Sequence, residues 1–188
     1  KADQILIPLE KLYRRYTGES LAVKLSDFTD VSERIQYLVT QVEKITKIDN
    51  FGAYLTAMLE IDAFFMNEDR HTNNIAVIYN EKTQKYELSP FFDQGLCMFA
   101  DINQDYPIDQ SLEYCLEKIE AKPFSSDFDI QLDAAEELYG IQIGFQFTFK
   151  DIQIYLQKNS ENYPREVVRR VEQLLRRQMR KYGYLMKK

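Results

Sequence analysis

Asp69-Arg70-His71-Thr72-Asn73-Asn74, followed by Phe92-Asp93-Gln94-Gly95, are the stretches on which the reading of this 188-residue chain turns. Between them, Ile75 to Tyr79 and Tyr86 to Ser89 read as strands joined by the polar segment Asn80 to Lys85, which predicts a β-hairpin. A turn centred between Lys82 and Thr83 pairs residues whose numbers sum to 165, so position 74 lies opposite position 91 and Asp93 returns close to Asn74. Asp69 stands just before Asn74, at the exit of an apolar helix. Two carboxylates and a carboxamide are therefore expected at one end of the hairpin, and a hard cation is their natural occupant.

His71 is the only histidine, and Cys97 and Cys115 are the only cysteines, so there is no Cys/His set for zinc and any metal must be held by oxygens. Mg²⁺ takes oxygen ligands and keeps much of its shell from water and substrate phosphates, so one carboxylate and one amide oxygen are a typical protein contribution. Asp93 and Asn74 can supply them. Asp69 can then orient and deprotonate an attacking hydroxyl while the cation offsets charge on a transferring phosphoryl group.

The pattern Asp-x-His-x-x-Asn, an apolar hairpin, then Asp-x-Gly resembles the catalytic and metal-binding loops of HipA-like serine/threonine kinases. The Asp-Arg-His-x-x-Asn form and Ile75-Ala76-Val77 also resemble phosphoinositide-type lipid kinases. The resemblance covers about Phe51 to Phe99 and implies a kinase C-terminal lobe, with Asp69 as catalytic base, Asn74 as a metal ligand and Asp93 as the principal metal ligand. His71 matches the motif's histidine and is expected to position the loop. Mg²⁺ as cofactor, ATP as co-substrate and a hydroxyl acceptor follow from the same resemblance. The acceptor is expected to be a protein Ser or Thr, with a lipid, or a catalytically incomplete binding module, as alternatives. Gln94 stands where many kinases carry Phe, so the in/out switching of that residue does not carry over with the resemblance.

Outward from the motif, the chain reads as mainly α with one small hairpin, a single lobe over residues 1–188. Pro8 is placed to open a helix through Leu12 and Tyr16 that Gly18 stops. Asp30 with Glu33 resembles a capping pair, after which Ile35, Leu38, Val42 and Ile45 recur at helical spacing. From Phe51 to Met66 apolar side chains fall on nearly every face, which predicts a buried helix, and Asp62 within it is expected to pair with Arg70 or His71. Residues 100–126 look irregular apart from a short helix over Ser111 to Ile119, and helices are expected at about 127–139, 148–158 and 164–183.

Three expectations concern what surrounds the motif. The six glycines form neither Gly-x-Gly-x-x-Gly nor Gly-x-x-x-x-Gly-Lys, so no phosphate cradle can be drawn. Ala22-Val23-Lys24 resembles a phosphate-contacting lysine motif, but no glycine-rich hairpin precedes it, so Lys24 is not expected to be a nucleotide lysine. Because the sequence opens at Lys1 with no Met and no signal-peptide core, the nucleotide-gripping N-terminal lobe is expected upstream of Lys1 or on another chain.

The net charge of −6 hides an asymmetry: residues 163–188 carry nine Lys or Arg against two Glu, leaving 15 basic against 28 acidic residues elsewhere, a net −13. That body disfavours nucleic acid. The basic helix it adjoins places Val167, Val171, Leu174, Leu175 and Tyr182 on one side and Arg169, Arg170, Arg176, Arg177 and Arg180 largely on the other, expected as a solvated face, with binding of an anionic membrane, nucleic acid or an acidic partner as the alternative. No apolar run approaches the roughly 18 residues of a membrane span. Two cysteines among apolar neighbours read as buried free thiols, which fits a cytoplasmic protein.

Overall fold

The central helix of the computed structural model, which describes residues 3–187, is the apolar one. This helix, α4 (Phe51–Phe65), buries Phe51, Leu55, Met58, Leu59 and Phe64 completely, as expected of a helix with no polar face. Ahead of it come β1 (Gln4–Pro8), α1 (Leu9–Thr17), α2 (Leu21–Ser26) and α3 (Val31–Thr46); after it come β2 (Ala76–Asn80), β3 (Lys85–Leu88), α5 (Leu112–Lys118), α6 (Phe128–Tyr139), α7 (Phe149–Asn159) and α8 (Arg165–Lys181). α6 packs across α4 and α3, while α8 closes the other side of α4 and pairs with α7. The close approach of α6 needs Gly52, because a Cβ there would strike the Tyr139 ring.

Local signals account for the helix limits. Asp30 accepts from Glu33 N (2.9 Å) at the start of α3, and Gly18 ends α1 with φ 81°, a conformation open to glycine without strain. Thr148 and Asp151 form a reciprocal capping box at the start of α7. The hairpin register is the one obtained by counting: Val77 faces Leu88, Tyr79 faces Tyr86 and Asn80 faces Lys85.

The hairpin has a further strand that the sequence reading did not assign. β1 pairs antiparallel with β2, Ile7 against Val77 and Leu6 against Ile78, giving a sheet of order β1-β2-β3. Pro8, expected as the first residue of α1, instead ends β1 and caps the helix. It has no N–H to give a ladder, so a strand end suits it. Leu9 N then donates to Ile75 O (2.8 Å) and Glu10 N to Thr72 O (3.3 Å), which ties the start of α1 to the 69–75 loop.

Arg170 departs from the expectation that groups it with the solvated arginines of α8. It is buried and donates to the carbonyls of Tyr106 (2.9 Å), Pro107 (2.6 Å), Ile108 (2.9 Å) and Gln110 (3.2 Å). A guanidinium supplies enough planar N–H groups to replace its hydration with such acceptors. Leu174, Leu175 and Tyr182 are buried as their spacing predicts. Cys97 and Cys115 are free and buried, and burial pushes the Cys97 thiol up to about 12. No helix among the described residues is long and apolar enough to cross a membrane.

Glu60, buried on α4, accepts from the backbone N–H groups of Gln142 (2.8 Å) and Ile143 (2.7 Å), fixing the chain between α6 and α7. Burial pushes its carboxyl up to about 7 against the pull of those donors. The folded state therefore holds this proton more tightly than the unfolded chain does, and the stabilisation is lost as pH rises from 4.5 through about 7. Glu68 and Glu136, also raised by burial, act in the same sense. The urea midpoint is expected to fall from about pH 5 to about pH 8, with Glu60→Gln flattening the fall. A midpoint that rises across that window would contradict this.

Candidate functional site

α4 ends at Met66 in a left-handed turn (φ 54°), and the chain enters the 67–74 loop. Arg70 organises that loop from inside. With no solvent exposure, it donates Nε to Asp62 Oδ2 (2.7 Å) and Nη2 to Asp62 Oδ1 (3.0 Å), a bidentate pair with the carboxylate that the sequence reading offered as its partner. Asn67 Nδ2 adds a third bond to Asp62 Oδ1 (2.8 Å). Burial pushes the Asp62 carboxyl up, opposed by the Arg70 guanidinium and the Asn67 amide.

The remaining guanidinium nitrogen makes the connection that matters for the site. Arg70 Nη1 donates to both Asn74 O (2.6 Å) and Phe92 O (3.0 Å). One buried cation thus ties the end of the 69–74 loop to the residue immediately before Asp93. The hairpin brings the two stretches to the same end of the sheet, and Arg70 fixes them there.

Asn74 Nδ2 donates to Asp69 O (2.8 Å) and lies 3.3 Å from Asp69 Oδ2. With the amide nitrogen committed, Asn74 Oδ1 has no protein donor among the described residues, and since no fully buried side-chain oxygen there lacks a partner, it keeps some solvent access although Asn74 as a whole is buried. The Asp93 side chain likewise makes no hydrogen bond or ion pair among the described residues, and its backbone is left-handed (φ 57°). No group of three or more His, Cys, Asp or Glu side chains there is placed to hold a metal by itself. An amide oxygen plus one carboxylate instead fits Mg²⁺, which completes its shell with water and phosphate oxygens.

Around Asp69 the contacts are loose. His71 Nε2 lies 3.7 Å from Asp69 Oδ2, while His71 Nδ1 accepts from Asn73 N (3.2 Å), so the imidazole holds the turn and lies outside the core. Lys122 Nζ approaches Asp69 Oδ1 at 3.6 Å from a half-exposed position. Exposed pairs of this kind contribute at most about 1 kcal/mol, so Asp69 is steered but not locked. Thr72 is braced from α1, its hydroxyl donating to Glu10 Oε2 (3.1 Å). Lys122, Glu10 and the carbonyl bonds of Arg70 were not found by reading the sequence. Lys122 lies in the irregular stretch far along the chain, and no local spacing connects it to Asp69.

No protein-family model and no curated protein matches the sequence. Among solved structures, the crystal structure of the Helicobacter pylori proinflammatory kinase CtkA superposes with a TM-score of 0.63 at 15% identity, covering 95% of this chain and 68% of that one. The chain has a kinase-like fold. Within that kinase-like lobe, the mainly helical body and small antiparallel sheet follow the architecture expected from the sequence. Lys24 lies on α2, where a strand lysine cannot be, and pairs with Asp27 (3.0 Å). Among the described residues the only strand lysine is Lys85, at the turn end of the hairpin, away from Asn74. Gln94, at the position where many kinases carry Phe, accepts weakly from Asn67 Nδ2 (3.5 Å) and Cys97 Sγ (3.5 Å).

Proposed function

We propose that this kinase-like lobe is the catalytic half of an ATP- and Mg²⁺-dependent kinase that transfers the γ-phosphoryl group to a hydroxyl, a protein Ser or Thr. The observation that carries the reading is the Arg70 bridge from Asn74 O to Phe92 O, which ties the loop bearing Asp69 and Asn74 to the residue immediately before Asp93. Asn74 Oδ1 and Asp93 would hold the metal, which when bound offsets charge on the phosphates. Asp69, steered by Asn74 Nδ2, His71 and Lys122, accepts the proton of the acceptor hydroxyl as that oxygen attacks. The grip on ATP comes from a second lobe, since the sequence holds no glycine-rich phosphate loop.

Calorimetric titration of the intact protein with ATP, with and without Mg²⁺, tests this. The native sequence is expected to bind ATP more tightly with Mg²⁺, and Asp93→Asn to lose that metal-dependent gain. No nucleotide or metal response in the intact protein would overturn the kinase reading and leave a kinase-like binding module.

A further inference from the structure

The basic face of α8 forms one wall of a groove of about 950 Å³. The opposite wall is the 108–113 segment, carrying Ile108 and Leu112. That wall is preset, because buried Arg170 crosses from α8 to bind the carbonyls of residues 106, 107, 108 and 110. The cations on the α8 wall divide into two sets. Arg176 stacks 4.0 Å from the Phe149 ring centroid beside Glu172, and Lys181 pairs with Asp129 at 2.6 Å. Arg169, Arg177 and Arg180 have no carboxylate within ion-pair distance among the described residues.

We propose that this groove docks an extended peptide segment of a protein partner in which acidic residues alternate with apolar ones. Arg169 to Arg180 covers twelve residues of helix, a rise of about 16 Å, which matches about five residues of extended chain. In an extended peptide successive side chains face opposite ways, so carboxylates meet the arginines on one side while apolar side chains meet Ile108 and Leu112 on the other. Unpaired guanidiniums at fixed helical spacing recognise carboxylates in this bidentate manner. Charge also selects against a longer polyanion. The groove rim carries Glu113 and Glu166, and the rest of the protein is strongly acidic, so a nucleic acid strand leaving the groove is repelled, whereas a short peptide segment stays within a Debye length of about 10 Å of the arginines. A planar membrane cannot enter a concave site.

The test does not depend on phosphoryl transfer, so its failure and that of the kinase reading are distinguishable. Fluorescence anisotropy of the intact protein is measured with a labelled peptide of alternating Glu and Leu, about seven residues long. The expected result is saturable binding that weakens with salt, falls at least about tenfold in Arg177→Glu/Arg180→Glu, and vanishes when Gln replaces Glu in the peptide. Far-ultraviolet dichroism verifies that the variant is folded, and the Gln peptide provides a test on the native protein alone. Equal binding of the Gln peptide, no binding of the Glu peptide, unchanged affinity in the folded variant, or tighter binding of a single-stranded oligonucleotide of the same charge would overturn the proposal.

Discussion

Asp69→Asn is expected to leave Mg–ATP binding by the intact protein unchanged while lowering the rate of phosphoryl transfer by about 10²–10⁴, the usual contribution of a positioned general base. The substitution keeps the size and most of the hydrogen bonding of the side chain. Asp69 meets Asn74 Nδ2 at 3.3 Å, His71 Nε2 at 3.7 Å and Lys122 Nζ at 3.6 Å, contacts that an amide retains in part. What it removes is a basic oxygen. Loss confined to kcat marks a group that acts on the reacting hydroxyl, whereas a matching loss of nucleotide affinity would make Asp69 a binding residue. Single-turnover measurement at saturating Mg–ATP separates the two. Full activity in Asp69→Asn would remove it from the chemistry.

The largest effect on stability is expected at Arg70. Arg70→Met leaves Asp62 buried without its cation, a change that costs about 3–5 kcal/mol for a broken buried pair. Replacing both partners, as Asp62→Leu/Arg70→Met, removes the uncompensated charge, and such double replacements are often close to neutral. Here recovery should be incomplete. The buried Asn74 carbonyl still loses the Arg70 donor, at about 1–3 kcal/mol for a buried group left unsatisfied, and the part-buried Phe92 carbonyl loses it at a smaller cost. The expected order of urea midpoints is native, then the double variant, then Arg70→Met. Phosphoryl transfer is expected to be lost in both, since neither retains the link between Asn74 and the residue before Asp93. A double variant with native stability and native transfer would show that Arg70 serves only to neutralise Asp62.

Much of this was legible because it is local. The hairpin register followed from where the polar turn falls, and that register fixed which residues the strand ends bring together. The limits of α3 and α4 followed from Asp30 and from an apolar run too long for a strand. The pairing of Asp62 with Arg70 could be read because an acidic residue inside an apolar helix demands a cation nearby.

The parts that escaped the sequence share a different physics. β1 pairs with a strand distant in the chain, and Ile5-Leu6-Ile7 is too short to announce its partner. Arg70 and Arg170 spend their remaining N–H groups on backbone carbonyls, and every residue has one, so such bonds leave no side-chain pattern to read. On a helical wheel Arg170 joins the other arginines of α8, and only the fold distinguishes the one that builds a wall from those that line the groove. Lys122 reaches Asp69 through tertiary packing alone.

The proposal that Asn74 and Asp93 hold one metal is tested most directly by paramagnetic broadening in the intact protein, with Mn²⁺ in place of Mg²⁺ and ADP present. The side-chain amide signal of Asn74 is expected to broaden beyond detection at substoichiometric Mn²⁺ and to stay sharp in Asp93→Asn under the same conditions. An Asn74 amide that remains sharp in the native protein while ADP and Mn²⁺ bind would contradict the site.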